Sequence, residues 1–159
     1  VETVLTIGVY GWDESRFLTA LRVARVDEVW DVRDRRGVRG RDGAWANAVH
    51  LQEFLSRAEI GYRHRRDLAP PTELRKRLQQ DDRDHGRRHR DRTELPSSFV
   101  ESYQAQVLEE VDLTRLVAEA TARRPVLLCV EGPASACHRS LAASALSEIA
   151  GVEVESLIP

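Results

Sequence analysis

Methionine is absent from this 159-residue chain, lysine occurs once, at Lys76, and cysteine twice, at Cys129 and Cys137. Each shortage excludes something. Two cysteines without regular spacing cannot build the disulfide scaffold of a small secreted domain, so a reducing compartment, the cytoplasm, is expected. No charged-then-apolar segment of the signal type opens the sequence. No apolar run reaches the roughly 18 residues that a membrane-spanning helix needs, so a membrane is not an expected partner. With one lysine, the positive charge of the 24 Lys+Arg residues is arginine, which reads as coding bias before it reads as a choice of bidentate anion ligands. A net charge of −2 removes whole-molecule attraction for nucleic acid.

What is present suits one soluble domain. Thr3–Tyr10 is a short apolar run stopped by Gly11, a buried strand by pattern. Asp13 can cap a helix carrying Phe17, Leu18, Leu21 and Ala24 on one face. Glu28–Arg33 reads as a second strand that turns polar at its end. The Gly- and Arg-rich stretch after it reads as a loop. Ala44–Glu59 has helical spacing, Ile60–His64 follows as a third strand, and Asp67–Pro71 is a turn. Thr72 can cap a short helix through Leu78. Residues 79–94 hold no apolar side chain and are expected to form a flexible arginine-rich loop. Phe99, Tyr103 and Val107 mark one helix, and Leu113, Leu116, Val117 and Ala120 another. Pro125–Val130 is a strand, Leu141, Ala145 and Ile149 the inner face of a last helix, and Val152–Val154 a final short strand. Strands alternating with helices imply a three-layer α/β domain, its sheet mostly parallel and covered by helices on both faces.

The richest stretch is Pro125–Leu146, PVLLCVEGPASACHRSLAASAL, a strand running through a Gly-Pro loop into a helix. Cys129 closes the strand, and Cys137, His138 and Arg139 open the helix, where free backbone N–H groups favour anions and thiolates. Open parallel sheets bind ligands beyond the carboxyl ends of their strands. That rule gathers Tyr10, Asp31, Arg33, Cys129 and Glu131 on one rim with Cys137–Arg139.

The segments IGVYGW, DVRDRRGVRG, YRHRRDLAPP and above all LLCVEGPASACHRS resemble the family catalogued as domain of unknown function 488. The resemblance runs from about Val4 to Leu146, and Cys-His-Arg after the Leu-Leu-Cys-x-Glu strand is its most specific part. It implies a small bacterial-type α/β domain with polar motif residues and no assigned reaction or cofactor. The family commonly opens with a Thr-Ile-Gly-His-Ser type segment, where this chain has Val9 and Tyr10, so no role for a first-strand histidine carries over.

Several readings of the rim stay open. Cys137 is a candidate nucleophile with His138 beside it, or a small buried residue with His138 as a capping group. Asp31 is a candidate general base, and Arg33, Glu131, Arg139 and Tyr10 candidate ligand-binding residues, or members of a strand-end ion-pair network. Sharper templates fail. The Cys-(x)5-Arg loop of cysteine phosphatases finds Ser135 and Ala143 where its arginine should stand. Cys129, Cys137 and His138 lack the usual close Cys pairing of metal sites, so no metal is expected. A disulfide between the cysteines requires the loop to fold back. The leading expectation is an enzyme or ligand-binding domain for an anionic small molecule or phosphate-bearing ligand. The alternatives are a nucleic-acid accessory domain, using Arg75–Glu94 and Arg33–Arg41, and a protein-interaction module.

Overall fold

A computed structural model describes residues 2–159. Its strands are β1 (Thr3–Ile7), β2 (Glu28–Asp31), β3 (Gly61–His64), β4 (Pro125–Leu128) and β5 (Glu153–Leu157). They form one parallel sheet in the order β3-β2-β4-β1-β5. The helices are α1 (Glu14–Val23), α2 (Ala48–Arg57), α3 (Thr72–Asp84), α4 (Ser97–Tyr103), α5 (Leu113–Ala122) and α6 (His138–Ala150). The three-layer α/β domain expected from the alternation is the one that forms.

Successive strand side chains point to opposite faces, so each strand feeds two cores. Leu5, Ile7, Val29, Val126 and Leu128 pack with Phe17 and Leu21 of α1 and Leu51, Phe54 and Leu55 of α2. Val4, Trp30, Leu127 and Cys129 pack on the other face with Leu74, Phe99, Tyr103 and Leu116 and with Ala142, Ala143 and Leu146 of α6. The chain thus moves from β1 to β3 under α1 and α2, and returns to β4 and β5 under α3–α6. Neighbours β1 and β4 send their connections to opposite faces, which opens the crevice where such sheets place ligands.

Local differences from the sequence reading have physical causes. β1 ends at Ile7, because the N–H groups of Val9 and Tyr10 both turn to Val130 O, at 3.0 and 3.2 Å. The helix read from Ala44 is a 3-10 turn, Ala44–Ala46, then a break at Asn47, whose Oδ1 accepts from Val38 N at 2.6 Å. α6 turns its small residues Ala142 and Ala143 inward with Leu146, leaving Leu141 and Ala145 half-buried and Ile149 exposed. β5 reaches Leu157, its five residues in register with all of β1.

The largest difference is in residues 79–94. α3 continues through Asp84 instead of stopping at Leu78, and His89–Asp91 forms a further 3-10 turn. Asp82 and Arg92 are buried. A run without apolar residues has no hydrophobic period to betray a packed segment, and here ion pairs do the packing.

β1 and the turn after β4 approach so closely that only glycine fits at position 8. An ideal Cβ there would lie 2.0 Å from Glu131 O. Gly8→Ala is expected to lower unfolding free energy by about 1–3 kcal/mol, the usual cost of overpacking. The urea midpoint at unchanged slope measures it.

Candidate functional site

At the carboxyl ends of β1, β2 and β4 the structure assembles a buried cluster of two thiols, an imidazole and a carboxylate. Cys129 is carried by the first position beyond β4. Cys137 is the N-cap of α6: its backbone is extended, and its Sγ accepts the Arg139 N–H at 3.5 Å. Ser140 N closes the first turn onto Cys137 O at 3.1 Å. His138 is the first helical residue, and its ring is held between the layers. Nε2 lies 2.7 Å from Val32 O. A carbonyl only accepts, so Nε2 carries the hydrogen and donates it. Nδ1 is left facing Cys137 Sγ at 3.8 Å and Cys129 Sγ at 4.0 Å. These three donor atoms lie within 4.8 Å of one another, and all three residues are buried. They are the described residues that could hold a soft metal ion. The sequence objection to such a site concerned ligand spacing within one loop. In the fold a strand end and a helix start supply the juxtaposition.

The electrostatics of the two thiols diverge. Burial pushes Cys129 well above the usual thiol range, and its neighbours Cys137 and Glu131 push the same way. Burial also opposes a Cys137 thiolate, but hydrogen bonding from Cys129 and the charge of His138 outweigh it and bring Cys137 down to about 6. Burial depresses His138, yet the facing Cys137 raises it above its ordinary value.

Glu131 joins this cluster to the surface. Its Oε2 accepts the Cys129 S–H at 3.2 Å, and its Oε1 accepts from Arg92 at 2.8 Å and from the His89 ring. Burial opposes its charge, but His89 and Arg92 hold its carboxyl well below the usual carboxylate range. Arg92 also binds Asp82 and donates to Ala136 O at 3.1 Å. The Ser135 hydroxyl donates to Thr93 O at 2.7 Å. Residues 85–93 therefore form a polar cap over the cluster.

The other predicted rim residues are placed as follows. Asp31 and Arg33 close on each other: Arg33 donates to both Asp31 oxygens at 2.8 and 2.7 Å and to Ala46 O at 2.9 Å. The Tyr62 hydroxyl and Arg33 N also donate to Asp31, so that carboxylate is saturated with donors. Between the pair, Val32 offers its carbonyl to His138. Arg139 pairs with neither carboxylate of the sequence reading. It donates to the carbonyls of Glu131 and Gly132 at 2.6 and 2.8 Å, and its buried Nε finds no partner among the described residues. Tyr10 is half-buried, edge-on to His89, with the Arg90 guanidinium 5.2 Å above its ring. Arg92, Asp82, His89 and the Val32 carbonyl were not legible as site members, since no motif spacing ties them to Cys137. A groove of about 680 Å³ lies elsewhere, between the end of β3 and α5. Its Glu119 accepts from Arg63, Arg65 and Arg115, so ion pairs line it, and none of the thiol-site residues does.

Arg92 is the buried cation that two buried carboxylates share; without it Asp82 keeps only Arg87, and Glu131 only His89 and the Cys129 thiol. Arg92→Ala is expected to cost about 3–5 kcal/mol of stability. Arg83→Ala, removing an exposed arginine bonded to Gln80, should change stability by less than about 0.5 kcal/mol. Chemical denaturation of both variants checks the contrast between a packed cap and a loose loop.

No helix among the described residues is long and apolar enough to cross a membrane. No curated protein and no solved structure matches the chain. The profile of the family described as Domain of unknown function DUF488 matches residues 14–146, which include the ends of β2 and β4, the cap and the Cys-His-Arg helix start, and the chain belongs to that family.

Proposed function

We propose that this protein is a cysteine-dependent enzyme of a reducing, cytoplasmic compartment, acting on an anionic small molecule. One observation carries the reading: Cys137 Sγ faces a histidine nitrogen whose ring is already oriented by a second hydrogen bond. A nucleophile, its proton acceptor and a group that aims the acceptor are the three parts of an activated nucleophile. Here they are Cys137 Sγ, His138 Nδ1 and the Val32 carbonyl. Attack by Sγ on an electrophilic substrate atom passes the thiol proton to Nδ1 and expels the leaving group. The α6 N-terminus adds backbone N–H groups beside the reacting atoms.

Cys137 is fully buried, so substrate reaches it only when the cap parts. The path inward is marked by His89, Glu131 and Cys129 in successive contact. Arg90 stands at its outer end on the Tyr10 ring and pairs with no carboxylate among the described residues, which favours an anionic ligand. Arg139 and Asp31–Arg33 hold the rim in shape through carbonyls and each other. The nucleic-acid alternative draws less support, because Arg75, Arg87, Arg88 and Arg92 are engaged by Asp34, Asp81, Asp82, Asp91 and Glu131.

Alkylation at neutral pH, read by mass spectrometry, tests the proposal with iodoacetamide as neutral probe and iodoacetate as anionic probe. Cys137 is expected to label first, and Cys137→Ser, but not Cys129→Ser, to remove the fast phase. Arg90→Gln should slow iodoacetate relative to iodoacetamide by roughly two- to fivefold, the effect of one exposed charge. Labelling of Cys129 at least as fast as Cys137 would overturn the nucleophile assignment. An unchanged probe ratio in Arg90→Gln would overturn the anionic ligand.

A further inference from the structure

We infer that Cys129, Cys137 and His138 form a binding site for a thiophilic d10 metal ion of the zinc(II) or copper(I) class. This goes beyond the catalytic reading, because it gives Cys129 a role as ligand that a Cys137 nucleophile does not require.

The geometry is that of ligands around a common centre. Bond lengths of about 2.3 Å to sulfur and 2.0–2.1 Å to nitrogen put sulfur and nitrogen of a tetrahedral site roughly 3.5–3.8 Å apart. His138 Nδ1 stands 3.8 Å from one sulfur and 4.0 Å from the other, and the whole trio fits within 4.8 Å. Small side-chain rotations suffice to close on an ion. The tautomer is already the required one. Nε2–H is held by Val32 O, so the Nδ1 lone pair points at the sulfurs, the carbonyl–histidine arrangement that orients metal ligands. The Arg139 N–H at Cys137 Sγ is an outer partner of the kind such sites use.

Charge and softness select the ion. Two thiolates and a neutral imidazole favour soft or borderline cations over magnesium or calcium, which take oxygen ligands. On binding, each thiol releases one proton, two metal–sulfur bonds and one metal–nitrogen bond form, and no electron changes hands. The ligands come from the end of β4 and the start of α6, so the ion would tie the sheet to the helix that crosses β1.

Cobalt(II) is the probe, added to reduced protein freed of metal by chelator. One equivalent is expected to produce thiolate-to-cobalt charge-transfer absorption and the visible bands of tetrahedral cobalt, and zinc(II) should abolish both. Cys129→Ser, Cys137→Ser and His138→Gln should each weaken binding by more than about a hundredfold, since loss of an outer partner alone costs about 10–100-fold. For the wild-type chain, zinc should protect both cysteines from iodoacetamide until excess chelator is added, a readout that needs no variant. Absence of the charge-transfer band, or metal binding that leaves both thiols open to alkylation, would overturn the inference. Fast labelling of Cys137 in chelator is a separate measurement, so this site and the nucleophile can fail independently.

Discussion

A carboxylate withdrawn from water has to be matched by charge and hydrogen bonds, or it protonates or drives the structure apart. Glu131 is where this constraint bears hardest. Its side chain gathers Arg92, His89 and the Cys129 thiol, and its backbone carbonyl takes the Arg139 guanidinium. That same carbonyl lies against Gly8 at the end of β1. One residue thus binds the cap, the thiol cluster, the α6 start and the neighbouring strand.

The other buried charges follow the same logic. Asp31 and Arg33 neutralise each other at the end of β2, and Tyr62 and the Ala46 carbonyl complete their hydrogen bonds. Arg92 closes on Asp82 as well as Glu131. Such networks contribute little net stability compared with an apolar core of equal volume, but breaking one partner is costly. Their value here is positional. They fix two strand ends and a cap without filling the crevice with hydrophobic side chains, and so leave polar atoms around the thiols.

The contrast between the two cysteines follows from position on the scaffold. Cys129 leaves an apolar strand and donates a hydrogen bond from its S–H to a carboxylate, which favours the thiol. Cys137 begins a helix and meets a backbone N–H and an imidazole, which favour the thiolate. A few ångströms separate them, yet the sheet and the helix impose opposite environments. That asymmetry is what the proposed nucleophile draws on, since Cys137 and not Cys129 is the thiol brought towards ionisation.

Much of the architecture was legible in the chain. Period-two and period-3.6 apolar patterns report which faces are buried, and burial of apolar area is local enough to read from spacing. They placed the strands, the parallel sheet and the Cys-His-Arg helix start, down to the carboxyl-end rim. Polar packing leaves no such period. Nothing in QQDDRDHGRRHRDRT shows that Asp82 and Arg92 go inside, because each does so only in the presence of its partner and of Glu131 some forty residues away. Nor does any spacing show that the Val32 carbonyl will aim His138, or that seven residues of loop return Cys137 to Cys129. The sequence by itself determined which segments are apolar enough to build the α/β scaffold. Only the tertiary structure decided which charged groups meet, because ion pairs and ligand clusters depend on distances across the fold that no local pattern carries.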